Sequence, residues 1–153
     1  MVPHDQDTLQ TVNLEKLQRT FAVNTFGPLL LTQALIPNIL ASQHPKICVI
    51  SSRVGSMADN SSGGAYSYRA SKAAVNAVFK SMAVDLKEKE VPVLLLHPGI
   101  VKTALDPRHA EGSDVPGAVG PEEAAEGLWE VVKSKGLEST GMFFHRSGEE
   151  LPW

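Results

Sequence analysis

The 153-residue sequence predicts an α/β protein organised around a parallel sheet. Helical patterns alternate with short apolar segments from residue 14 to the end of the chain. The segments 47–50 and 93–96 are continuous apolar runs rather than alternating ones. Such runs are typical of strands covered on both faces, as in a parallel sheet. We therefore expect helices on both sides of the strands.

The N-terminal third is predicted to be helical over residues 14–43. Apolar side chains recur there at helical spacing, and Asn13 has the side chain of an N-cap residue. The pair Gly27-Pro28 interrupts the pattern and Pro37 does so again, so we expect a kink or a break.

The first strand is predicted at 46–52, followed by a loop at 53–65 and a long helix at 66–90. The loop is rich in Gly, Ser and Asn, which are common in turns. One apolar stripe at helical spacing marks the buried side of the long helix. Its members are Val75, Val78, Phe79, Met82 and Leu86.

The second strand is predicted at 92–97, and a loop at 104–120 rich in Pro, Gly, Asp and Ala follows it. Pro121 fits the first turn of the next helix, and Gly136 ends that helix. A third short strand is predicted at 141–145.

These elements indicate one partial domain over 1–153, with an irregular segment at 1–12 and a lid-like loop at 104–120. Parallel strands with right-handed crossovers give three α/β/α layers. Three strands are too few for a sheet covered on both faces. We therefore expect the C-terminal part of a Rossmann-like doubly wound parallel sheet.

Composition excludes several function classes. The net charge is −3 without a basic block, so we expect no nucleic-acid partner. No apolar run approaches the roughly 20 residues of a membrane span. The single cysteine, Cys48, cannot form an internal disulfide, which fits the cytoplasm, and its apolar neighbours predict a buried side chain. His4, His44 and His145 lack metal-ligand spacing, so we assign no metal site.

Tyr68 and Lys72 are the first candidate catalytic pair. They lie one turn apart on the long helix and share a face. A free phenol has a pKa of about 10, and a nearby ammonium lowers the pKa of such a group. The pair could then exchange a proton with a carbonyl or an alcohol oxygen near neutral pH. Tyr66 is the rival, but its neighbour one turn on is Ala70, which has no charge.

The strand ends place two further segments near this pair. Ser52 ends the first strand and Pro98-Gly99 ends the second. The carboxyl ends of parallel strands share one edge of the sheet, where ligands bind in open α/β folds. Because Tyr68 begins the helix between these strands, all three segments can meet in one crevice.

Three motifs occur in a characteristic order, and they are Val49-Ile50-Ser51-Ser52, Tyr68-Arg69-Ala70-Ser71-Lys72-Ala73-Ala74 and His97-Pro98-Gly99-Ile100-Val101-Lys102-Thr103. With them, the chain resembles the short-chain dehydrogenase/reductase family from about Leu14 to Trp153. The loop at 55–64 and the ending at 141–153 resemble, more narrowly, the C-factor-like, carbonyl-reductase-like branch.

This resemblance implies four catalytic residues. Asn24 matches the asparagine that supports a water relay toward the lysine, although the residue alone would be read as a helix asparagine in a polar contact. Ser52 matches the serine that orients the substrate carbonyl, with Ser51 as its rival on the opposite face of the strand. Tyr68 would be the general acid or base, and Lys72 would lower its pKa and hold the ribose of the nicotinamide.

The resemblance also implies a cofactor, NADP or NAD, and a small carbonyl or alcohol substrate. The chain would then be an NAD(P)-dependent carbonyl reductase or dehydrogenase that transfers hydride. Asn24, Tyr68 and Lys72 would contribute to cofactor binding. The segment after the second strand would contact the nicotinamide carboxamide through Pro98, Gly99, Val101 and Thr103.

Two family segments are absent from the sequence: the Gly-x-x-x-Gly-x-Gly turn that receives the pyrophosphate and a later Asn-Asn-Ala-Gly segment. We therefore expect the chain alone to bind the dinucleotide weakly or not at all. The first strand would keep an uncovered edge, which favours self-association or a partner. The alternative function is a non-catalytic interaction module that forms homo-oligomers through helices 14–43 and 66–90.

Overall fold

The computed structural model describes residues 6–103 and 115–153. Its centre is a parallel three-stranded sheet in the order β1-β2-β3. The strands are β1 (Ile47–Ile50), β2 (Val93–His97) and β3 (Phe143–His145). Ile47 pairs with Val93, and Leu95 pairs with Phe143. The prediction of an α/β fold with parallel strands is confirmed.

The N-terminal helical region has two α-helices joined by a π-helical turn. α1 spans Leu14–Phe21, the π turn spans Ala22–Phe26 and α2 spans Gly27–Leu40. The Asn13 side chain accepts a hydrogen bond of 3.0 Å from the Lys16 backbone N–H, which confirms it as the N-cap. The predicted break is therefore the π turn just before Gly27, whereas Pro37 lies inside α2.

Two helices follow the strands. α3 spans Tyr66–Asp85 after β1, with a short 3-10 turn at Lys87–Lys89, and α4 spans Pro121–Ser134 before β3. α4 agrees with the predicted helix to within its last turn, whereas α3 ends at Asp85 rather than at residue 90. Lys46 lies just before β1 and contacts the end of α4. Its Nζ donates a 2.6 Å hydrogen bond to the Lys135 carbonyl at the C-cap of α4.

The core lies in two clusters on opposite faces of the sheet. On one face Val75 and Phe79 of α3 pack with Val49, Leu95 and Phe143. The second cluster contains Leu94, Leu96, Val131 and Phe144, with Val131 contributed by α4. These clusters give the three α/β/α layers expected from the sequence, and they hold the strand ends at the edge where the candidate site lies.

The prediction that β1 is covered on both faces is wrong. Ile47 and Val49 are buried, but Cys48 and Ile50 point outward and are exposed. The buried position expected for Cys48 is wrong for the same reason. β2, by contrast, has four consecutive buried residues, because β1 and β3 flank it and helices cover both its faces. Within the described ranges no strand pairs with the outer edge of β1.

Two further features of the described residues concern membrane spans and metal sites. Across 6–103 and 115–153, no helix combines the length and apolar character that a membrane span requires. The same residues contain no group of three or more His, Cys, Asp or Glu side chains placed to hold a metal ion.

Candidate active site

Tyr68 lies in the first turn of α3, at the carboxyl edge of the sheet. Burial raises the pKa of its phenol, and a hydrogen bond with the Ser52 side chain acts in the opposite direction but is the smaller cause. The net direction is thus upward, and Lys72 is not among the causes of the shift. Desolvation penalises the phenolate more than the neighbouring groups stabilise it.

Lys72 lies one turn further along α3 with its side chain mostly buried. Its Nζ donates a 2.9 Å hydrogen bond to the Ile50 carbonyl at the end of β1 and lies 5.8 Å from the centre of the Tyr68 ring. Burial also lowers the pKa of Lys72. The bond to β1 fixes the ammonium beside the phenol, as the one-turn spacing predicts.

The two serines at the end of β1 have different partners. Ser52 lines the same pocket as Tyr68, and its side chain acts to lower the pKa of the phenol. The Ser51 hydroxyl donates to the Asn76 side chain of α3 instead. The alternation of side chains along the extended segment thus places Ser52, rather than Ser51, next to the phenol.

Asn24 lies in the π turn, and its side-chain hydrogen bond goes to Ser71 rather than to Lys72. Its Nδ2 donates a 3.0 Å hydrogen bond to the Ser71 hydroxyl, which in turn donates at 2.8 Å to the Tyr68 carbonyl. Thr25 adds a 2.9 Å bond to the Ser71 carbonyl. The π turn, a distortion that is frequent at functional sites, therefore holds the backbone of α3 behind the pocket.

The segment after β2 forms the opposite wall. Pro98, Gly99, Val101 and Thr103 line the same pocket as Ser52, Tyr68 and Lys72. Gly99 has a φ of +77°, and a Cβ there would lie 1.7 Å from Arg146 Nη1. Arg146 also donates a 2.8 Å hydrogen bond to the Pro98 carbonyl. The positive φ at position 99 therefore favours glycine, and Arg146 hydrogen-bonds this wall to the chain that follows β3.

The pocket between these walls has a volume of about 1010 Å³. Its size is that of a small-molecule site, and its polar groups are few and convergent. Val101 pairs with Val119 in an isolated parallel bridge, which joins the two ends of the predicted lid. The lid itself was predicted at 104–120, and its residues 104–114 lie outside the described ranges.

Three residues of this region were missed by sequence reasoning. His97 lies at the end of β2, where burial and the nearby His145 lower its pKa to about 4. Asp7 lines the pocket and Arg146 donates to the Pro98 carbonyl in its wall, both from chain segments far from the motifs. His97 has a weak signal, since it precedes Pro98-Gly99, but the contacts of Asp7 and Arg146 depend on tertiary packing alone.

The described residues thus combine a Rossmann-like α/β layer with a serine, a tyrosine and a lysine that line one pocket. The model of the family described as short chain dehydrogenase matches residues 3–114. The chain belongs to this short-chain dehydrogenase/reductase family, in its carbonyl-reductase-like branch.

Individual relatives agree with this placement. The chain is 40% identical over 150 residues to 1-hydroxy-2-glutathionyl-2-methyl-3-butene dehydrogenase of Rhodococcus sp. (strain AD45), covering 96% of this chain and 63% of that protein. It is 36% identical to the C-signal protein of Myxococcus xanthus, covering 95% of this chain and 83% of that protein. The NADPH-bound carbonyl reductase from chicken fatty liver superposes with a TM-score of 0.82 at 28% identity, covering 96% of this chain and 61% of that one. The chain thus spans less than two thirds of the length of the Rhodococcus protein.

Proposed function

We propose that the protein is a nicotinamide-dependent carbonyl reductase in which Tyr68 protonates the carbonyl oxygen of a small substrate. The observation that supports this most directly is that Ser52, Tyr68 and Lys72 line one pocket, with the Lys72 Nζ 5.8 Å from the centre of the Tyr68 ring. Ser52 would orient the carbonyl and Tyr68 would give it a proton as general acid. The similarity to a carbonyl reductase and to a dehydrogenase of an alcohol supports this substrate class.

The raised pKa of Tyr68 favours the reductive direction. A phenol whose pKa lies above its ordinary value of about 10 stays protonated at neutral pH. Carbonyl reduction needs a proton donor at this position, whereas alcohol oxidation needs a phenolate. This environment supports Tyr68 as the proton donor of a reduction.

The donor set fits the nicotinamide end of a dinucleotide. An ammonium has three N–H groups, and Lys72 uses one of them on the Ile50 carbonyl. The other two find no protein acceptor among the described residues and could donate to ribose hydroxyls. Pro98, Gly99, Val101 and Thr103 would form the wall against the nicotinamide. A reduced cofactor would supply the hydride, and the NADPH in the chicken enzyme supports NADP as that cofactor.

The adenine and pyrophosphate end has no matching residues. The sequence contains no Gly-x-x-x-Gly-x-Gly turn, so the backbone donors that usually receive the pyrophosphate are not supplied by one. We therefore propose that this chain alone binds NADPH weakly, through the nicotinamide and ribose contacts. Fluorescence titration measures this affinity, and a micromolar dissociation constant for the isolated chain would contradict it.

The substitution Tyr68→Phe tests the proposed reaction. It removes the hydroxyl that donates the proton, so we expect NADPH-dependent reduction of an aromatic aldehyde to fall by roughly 100-fold or more. The rate is followed by NADPH absorbance at saturating cofactor. The control is Tyr66→Phe, since Tyr66 lies in the same turn but has an exposed side chain. NADPH-dependent turnover that persists in the Tyr68→Phe variant would contradict this mechanism.

A second function rests on a different observation, the apolar side chains exposed on α2 and β1. Leu30, Leu31 and Ile50 are 59%, 62% and 49% exposed. Surfaces of this kind are typical of protein–protein contacts. We infer that the alternative role is a non-catalytic module that pairs with another copy or a relative through the helices at 14–43 and 66–90.

A further inference from the structure

The helix that carries Tyr68 and Lys72 has no capping side chain of its own. Its N-cap position is Ala65, whose methyl group cannot accept a hydrogen bond. Ala65 also lies in the left-handed region, with a φ of 49°. Gly63 and Gly64 have positive φ values as well. The chain therefore enters α3 through a constrained turn and leaves the first N–H groups of the helix without a local acceptor.

A carboxylate from the other end of the sequence fills this role. Asp7 is only 1% exposed. Its Oδ1 accepts a 2.9 Å hydrogen bond from the Ser67 N–H, and its Oδ2 accepts from the Ser67 hydroxyl at 2.8 Å and from the Tyr68 N–H at 3.2 Å. The Asp7 carbonyl accepts a further bond of 3.3 Å from the Tyr66 N–H.

We propose that Asp7 is a positioning residue for Tyr68: its carboxylate fixes the first turn of α3, so that the phenol faces Ser52 in the pocket. The catalytic consequence rests on the proposed function, but the placement of the phenol does not. An anion at the positive end of a helix is also electrostatically favourable. Tyr68 is held through its own amide, so loss of the carboxylate acts on this residue directly.

The effect of removing Asp7 follows from the environment of the phenol. Burial is the larger cause of the raised Tyr68 pKa. An uncapped first turn frays and admits water, which lowers that pKa toward its ordinary value. The other ionisable side chains that line the pocket are Arg53, Asp59, Arg69, Lys72 and His97.

The pKa of Tyr68 can be measured directly, because Tyr66 and Tyr68 are the 2 tyrosines of the chain. In a Tyr66→Phe background, the tyrosinate absorbance during a pH titration reports Tyr68 alone. We expect Asp7→Ala to lower the pKa of Tyr68 by about 0.5 unit or more. Asp7→Asn keeps one acceptor for Ser67 but turns an amide NH2 toward the Tyr68 N–H. We expect it to shift the Tyr68 pKa in the same direction and by less.

Asn13→Ala is the matched control, since it removes an N-cap from α1 without touching the pocket. It should leave the Tyr68 pKa unchanged. A folded Asp7→Ala or Asp7→Asn protein in which Tyr68 titrates within about 0.2 unit of the parent would overturn the proposal. Loss of the fold in both Asp7 variants, with a folded Asn13→Ala, would also overturn it, because Asp7 would then serve the whole fold.

Turnover adds a second readout. We expect Asp7→Ala to lower kcat by roughly 10-fold with little change in KM for NADPH, because the proton donor is misplaced while the cofactor contacts remain. If the parent chain shows no reductase activity, the proposed function fails, and the titration of Tyr68 still decides the role of Asp7.

Discussion

The pKa values of the candidate catalytic pair are shifted mainly by burial. The pKa of Tyr68 is raised and that of Lys72 is lowered, and desolvation is the first cause of both. Burial therefore disfavours the charged form of each of these two side chains. This environment keeps the proton on Tyr68, where carbonyl reduction requires it.

Gly99 is the residue at which backbone conformation and close packing coincide. We expect Gly99→Ala to lower the free energy of unfolding by about 2–3 kcal/mol, from backbone strain and from displacement of Arg146 off the Pro98 carbonyl. The control is Gly117→Ala, because Gly117 has the same φ of +77° but no atom within 4 Å of an added Cβ. It should cost only about 1 kcal/mol, the strain alone.

Urea denaturation of the two alanine variants measures this difference. The contrast isolates the packing contribution because the two positions share one φ. Equal losses of stability would show that the Arg146 side chain moves away freely and that the wall at Pro98 does not depend on it.

At the scale of elements, the start of α3 is the feature that organises the site. The helix brings Tyr68 and Lys72 to the sheet edge, and its first turn depends on a residue in the left-handed region. Strained positions of this kind cluster at functional sites. The stability of the pocket and that of the helix entry are therefore coupled.

Ala65→Gly tests the strain at this entry. Glycine adopts a positive φ without steric cost but gains entropy in the unfolded chain, so we expect a net stabilisation of about 0.5–1 kcal/mol. Thermal or urea unfolding measures the change. Ala77→Gly is the control with the same chemistry inside the exposed face of α3, where glycine should destabilise by about 1 kcal/mol. Two changes of the same sign would refute strain at Ala65.

At the scale of the whole molecule, the outer edge of β1 is the dominant feature. A groove of about 530 Å³ runs beside this edge, and its lining includes Val23, Leu31, Cys48 and Ile50. An uncovered parallel edge next to an apolar groove is a site of association in most proteins. Ile50 at the end of β1 is exposed beside this groove.

We expect the purified chain to self-associate at micromolar concentration because of this surface. Leu31→Glu should shift the population toward the monomer, since a buried carboxylate in such an interface is unfavourable. Light scattering coupled to size-exclusion chromatography measures the mass. Trp129→Glu is the control, because Trp129 is 60% exposed but lies on α4, which packs on the other face of the sheet. A wild-type chain that is monomeric at about 100-fold higher concentration than this would contradict the prediction.

Local sequence patterns determined most of the elements. The apolar stripe of α3 and the continuous run of β2 predicted a buried helix and a central strand, and both are confirmed. Asn13 was identified as a cap because N-capping depends on a few adjacent residues. Tyr68, Lys72 and Ser52 were brought together on one pocket because helical spacing and strand ends fix where such side chains lie.

Only the tertiary structure decided the pKa directions of these residues and the contacts that position them. The direction of the Tyr68 pKa depends on how much water reaches the phenol, and sequence spacing carries no information on that. The exposed face of β1 depends on which elements cover it, so its apolar run alone predicted the wrong burial. Asp7 and Arg146 contact the site across long stretches of chain, because packing, rather than local pattern, brings them to the ends of α3 and β2.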